Sequence, residues 1–73
     1  MSKRIVIFDP EDVKVLVAIA GKCKFPVQVN TGSNYRNASS MLGMFTIDFS
    51  KPFEIQYDGE NEDLETFVAN HEA

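Results

Sequence analysis

Asp9-Pro10-Glu11-Asp12 is the stretch that most constrains how this chain can fold. An aspartate can cap a helix, proline suits the first helical position, and two further acids favour the positive end of the helix dipole. The stretch therefore predicts a helix start. Val13, Leu16, Val17 and Ala20 follow at i, i+3, i+4 and i+7 and supply its apolar face. Val15 and Ile19 widen that face, leaving Lys14 and Lys22 as the clear solvent positions. Val15, Val17 and Ile19 also alternate as a strand would, so a strand is the alternative reading of this segment. Immediately upstream, Ile5-Val6-Ile7-Phe8 is a β-branched and aromatic run that reads as a buried strand.

Downstream, the signals continue to alternate. Pro26-Val27-Gln28-Val29 reads as a strand, Thr31-Gly32-Ser33-Asn34 as a turn, and Tyr35-Arg36-Asn37 as the returning arm of a hairpin. Asn37-Ala38-Ser39-Ser40-Met41-Leu42-Gly43-Met44-Phe45 opens with small polar residues and runs into apolar ones. It predicts a short helix extending to Thr46 or Ile47, with Met41, Met44 and Phe45 on one face. Ser50-Lys51-Pro52 breaks the pattern before Phe53-Glu54-Ile55-Gln56-Tyr57, an alternating strand. After the Asp58-Gly59 turn, Asn61 caps a final helix with Leu64, Phe67 and Val68 facing inward.

The expected order is β-α-β-β-α-β-α, a two-layer α+β domain spanning residues 1–73. A chain of this length buries only ~60% of its unfolded surface. With 44% hydrophobic residues and six phenylalanines it still has the material for a real core. One cysteine, Cys23, excludes an internal disulfide and fits a reducing cytoplasm. One histidine and one cysteine leave little from which to build a transition-metal site, so no cofactor is expected. No apolar run approaches the ~20 residues of a membrane span.

The net charge of −4 is unevenly spread. Six of the seven basic residues precede position 37, whereas eight acids and only Lys51 occur from Asp48 onward. That half repels a polyanion, which disfavours nucleic-acid binding.

The element order, together with Ser39-Ser40-Met41-Leu42-Gly43, resembles HPr, the histidine-containing phosphocarrier of the bacterial phosphoenolpyruvate-dependent sugar phosphotransferase system. In that family a small or basic residue, a serine, two apolar residues and a glycine form the second hallmark motif. The resemblance implies an open-faced sandwich in which helices cover one face of a small antiparallel sheet. It also implies a cytoplasmic protein whose partners belong to the phosphotransferase system or its regulators. Met41, Leu42 and Phe45 match the family's apolar partner-binding patch, and Ser40 matches its regulatory phosphorylation site.

The resemblance breaks at the phosphocarrier site. Counting back from Ser40, the acceptor-histidine position falls on Asp9 and the arginine position on Glu11. His71, near the C-terminus, is expected in a frayed tail. A helix N-terminus and an arginine normally favour phosphate, but here Asp9, Glu11 and Asp12 occupy that end. Each acid about 5 Å from a phosphate charge costs roughly 3 kcal/mol at an effective dielectric of ~20. The expectation is an HPr-like binding or regulatory module without phosphocarrier or enzymatic activity. The alternatives are an aspartyl-phosphate acceptor at Asp9 and a small homodimer that pairs through its methionine face, Met44 included.

Overall fold

The computed structural model describes residues 2–30, 35–47 and 49–73. The elements are β1 (Ser2–Val6), α1 (Pro10–Lys22), β2 (Val27–Asn30), β3 (Tyr35–Asn37), α2 (Met41–Met44), β4 (Phe53–Tyr57) and α3 (Glu62–His71). The strands form one open antiparallel sheet in the order β1-β4-β2-β3. The Thr31-Gly32-Ser33-Asn34 turn lies outside the described residues.

The register sorts side chains between the two sheet faces. Val6, Val27, Val29, Phe53, Ile55 and Tyr57 join Val13, Leu16, Leu64, Phe67 and Val68 of the helices in one buried core. The other face carries two cross-strand rows, Lys3-Gln56-Gln28-Asn37 and Ile5-Glu54-Asn30-Tyr35. Gln56 is buried even there, because β4 is a central strand, and its Nε2 donates to Gln28 Oε1 at 3.3 Å. The clean alternation expected for β4 therefore ends in a shielded amide.

The β1 boundaries differ from the sequence expectation. Pairing covers Ser2–Val6 rather than Ile5–Phe8, and Ile5 and Ile7 are exposed while Val6 and Phe8 are buried. A strand beneath a single helical layer needs only every second side chain to be apolar. Phe8 lies beyond β1 but centres an aromatic cluster: Phe53, Phe67, Phe49 and His71 have ring centroids at 4.8, 5.4, 5.9 and 6.0 Å.

The α1 expectation holds as a helix, with Val13, Leu16 and Ala20 buried. Val15 is 50% exposed and does not widen the core-facing stripe as expected. The sheet and α3 cover only part of the helix circumference, leaving Val15 beyond their edge. α3 runs antiparallel to α1, since its last residue, His71, meets Asp12 near the start of α1. At the other end, Asp63 acts electrostatically on Cys23, just past the last turn of α1. The half-buried Cys23 Sγ donates to the Ile19 carbonyl at 3.3 Å, and burial pushes its thiol pKa up, with Asp63 adding to the rise.

The C-terminus is tied down rather than frayed, which corrects the expectation for His71. The Ile7 N–H donates to the His71 carbonyl at 2.9 Å, and the Ala73 N–H donates to the Ile5 carbonyl at 3.1 Å. Val6 and Glu72 form an antiparallel bridge, so residues 71–73 cover the outer edge of β1. Arg4 reinforces this closure through Glu72 at 2.6 Å and Glu65 at 3.7 Å.

Glu65 also accepts the Tyr57 hydroxyl at 2.7 Å. Burial, followed by that carboxylate, pushes the Tyr57 pKa up from 10.0 to about 12. The fold thus favours neutral tyrosine, and the stabilisation is complete below the unfolded value. As pH rises from about 10 to about 12, the unfolded chain releases the proton first and stability falls. Urea titrations across this range are expected to show that fall in the wild type and a shallower one in Tyr57→Phe.

Gly59 has a specific packing role in the turn after β4. A Cβ there would lie 2.3 Å from Cδ2 and 2.6 Å from Cγ of Phe25, whose ring stacks at 28° on Tyr57. Only glycine lets that ring lie over the turn without moving.

Candidate functional site

The surface around α2 is built by local hydrogen bonds. Asn37 Oδ1 accepts from both the backbone N–H and the hydroxyl of Ser39, at 2.9 and 2.7 Å, bending the chain out of β3. Ser40 then has extended backbone angles and its Oγ accepts the Gly43 N–H at 3.3 Å, as a helix cap does. A Cβ on Gly43 would approach Ser40 Oγ to 3.3 Å, so the glycine leaves the capping hydroxyl its room. At the far end, Thr46 Oγ1 donates to the Gly43 carbonyl at 2.6 Å and accepts from Arg36 Nε at 3.0 Å. A single helical turn is therefore fixed at both ends and anchored to β3.

The orientation of this turn corrects the single apolar face expected for Met41, Met44 and Phe45. Met44 is fully buried, whereas Met41, Leu42 and Phe45 are 41%, 85% and 49% exposed. Apolar residues at 41, 42, 44 and 45 span an arc of about 160° with Met44 and Leu42 at its two edges, and one turn can direct only one edge into the core. Met44 takes that edge, with Ala38 before the turn and Ile47 after it also buried. Met44 is thus excluded from the surface through which a methionine-face homodimer was expected to pair. The helix also ends at Met44, short of the expected Thr46 or Ile47.

The acidic end of α1 is a separate feature. The Asp9 N–H donates to Asp12 Oδ2 at 3.1 Å, and the Asp12 N–H donates to the Asp9 carbonyl at 2.9 Å. Asp9 and Glu11 are exposed, and among the described residues neither forms an ion pair with a lysine or arginine. The carboxylates consequently meet the positive end of the helix themselves and oppose an anion placed there.

Sequence reasoning missed the role of His71 at this end of the molecule. Its ring stacks on Phe67 at 4.2 Å and 25°, its Nδ1 lies 2.7 Å from the Phe67 carbonyl, and its Nε2 lies 3.6 Å from Asp12 Oδ2. The i, i+4 spacing of Phe67 and His71 was a local signal for the stack. Contact with Asp12 depends on the antiparallel packing of α1 and α3, which has no local signature. Among the described residues there is no group of three or more His, Cys, Asp or Glu placed to hold a metal ion. Nor is any described helix long and apolar enough to cross a membrane.

No protein-family model matches the chain, and no curated protein matches it.

Proposed function

We propose that the chain is an HPr-like module of the sugar phosphotransferase system that binds or regulates partner proteins in the cytoplasm without carrying phosphate on histidine. The observation that carries this reading is the outward display of Met41, Leu42 and Phe45 on a turn whose fourth apolar residue, Met44, is buried. Methionine and leucine offer a deformable apolar surface, and phenylalanine adds an aromatic anchor. The β-α-β-β-α-β-α order and the open antiparallel sheet support the fold part of the reading. The acids at Asp9, Glu11 and Asp12 support the absence of phosphate transfer, including to Asp9.

Ser40 is the proposed regulatory site, because its exposed side chain adjoins the patch. A phosphate there places charge beside apolar side chains and weakens docking.

The test has two arms. Incubation with the first enzyme of the phosphotransferase system and labelled phosphoenolpyruvate is expected to leave this chain unlabelled. Stable label would overturn the inactive-carrier reading. In calorimetry against purified phosphotransferase proteins, Leu42→Asp is expected to weaken binding by roughly 30-fold or more, the range of an interface hot spot. Binding unaffected by Leu42→Asp would remove the patch from the proposal.

A further inference from the structure

We infer that the groove between α1 and α3 is a second docking surface, one that takes a basic amphipathic helix. The groove has a volume of about 450 Å³, and none of Met41, Leu42 or Phe45 lines it. It is therefore independent of the α2 patch and of the phosphotransferase reading.

The occupant follows from how the walls are arranged. Asp12, Val15 and Ile19 line the α1 side at i, i+3 and i+7, so the groove follows that helix for about two turns, or ~10 Å. Val15, half-exposed and outside the core, and the partly buried Ile19 give the middle an apolar wall. Phe67 closes the floor from α3.

Carboxylates mark the two ends. Asp12 stands where α1 begins and α3 finishes, with His71 Nε2 3.6 Å from its Oδ2, while the more strongly acidic end carries Glu62 and Asp63, where α3 begins and α1 finishes. Among the described residues no lysine or arginine lines the groove. Between those ends Val15, Ile19 and Phe67 form the apolar part of a groove about two turns long, with Thr66 and Asn70 on its α3 side. That arrangement complements a helix carrying apolar residues at i+3 and i+4 between basic residues at i and i+7. An anionic ligand meets like charge at either end, and an uncharged apolar helix gains nothing from the carboxylates.

The experiment uses the full chain and a synthetic ~14-residue alanine-based helix with leucines at i+3 and i+4 and lysines at i and i+7. Amide chemical-shift mapping is expected to place its binding on residues 12–19 and 62–71. Replacing both lysines by glutamate is expected to weaken binding by at least about tenfold, as is Val15→Lys, which changes an exposed position and leaves the fold intact. Asp63→Lys should weaken it severalfold, with an effect that shrinks as salt is added. Leu42→Asp should leave it unchanged, separating this surface from the α2 patch.

Absence of binding, shifts confined to residues 41–45, or equal binding of the glutamate peptide would each overturn the inference. Concentration-dependent dimerisation abolished by Val15→Lys would assign the groove to a second copy of this chain and likewise overturn it.

Discussion

Met44→Asp is expected to unfold the protein outright. Met44 has no solvent-accessible surface and packs in the common core. Its replacement removes apolar burial of about 2–3 kcal/mol and puts a carboxylate among the buried apolar side chains of the core. An unpaired buried charge costs several kcal/mol more. A domain of this size has a total stability of roughly 4–11 kcal/mol, so the combined loss is comparable to the whole. Far-UV circular dichroism at 25 °C should show loss of helix signal and no cooperative melt. Leu42→Asp, two residues away, should shift the urea midpoint by no more than about 0.5 kcal/mol equivalent, because Leu42 is 85% exposed. A folded, cooperative Met44→Asp protein would refute the assignment of this methionine to the core. The pair of variants also settles how dimerisation should be probed, since a change at Met44 disrupts the fold itself.

The second large effect is expected at Phe8. Truncation to alanine removes the ring around which Phe49, Phe53, Phe67 and His71 are arranged within 6.0 Å. Phe→Ala in a core costs about 3–5 kcal/mol, which in a domain this small lowers the melting temperature by at least about 12 °C. Phe8→Leu retains most of the apolar volume and should cost less than half as much. Because Phe8 contacts His71, the alanine variant should also loosen the C-terminal closure. Amide exchange at Ile7 and Ala73, which donate to His71 and Ile5, is expected to accelerate beyond what the global loss of stability explains. Uniform acceleration across the core, without extra opening at these two amides, would separate the aromatic cluster from that closure.

Both effects arise at positions whose burial is set by partners distant in sequence. Phe8 reads locally as the end of a strand, yet the strand stops at Val6 and Phe8 turns into the junction of β4, α3 and the 49–53 segment. Met44 reads as one member of a single apolar face with Met41 and Phe45, but α2 sends Met44 inward and the other two outward. A helical period gives relative directions around an axis. Which direction is inside depends on where that axis lies against the sheet.

The candidate site shows the same division. Ser40 was legible as a cap because the required geometry spans only three residues, and its bond to the Gly43 N–H follows from that spacing. The acids at Asp9, Glu11 and Asp12 were equally legible as a helix start. The α1–α3 groove was not, since Asp12 and His71 lie 59 positions apart and meet only when two helices pack antiparallel. Val15 becomes a groove residue for the same reason: its own helix makes it apolar and adjacent to the stripe, but the width of the neighbouring layer leaves it outside the core.

Caps, turn residues and alternation act within a few residues of chain, so the sequence alone determined the order of strands and helices and the acidic opening of α1. The tertiary structure decided that β4 inserts between β1 and β2, that residues 71–73 cover the edge of β1, and which apolar side chains remain outside. Those choices rest on strand pairing and helix packing between distant segments, where burial of shared surface selects one arrangement among several that the local signals allow equally.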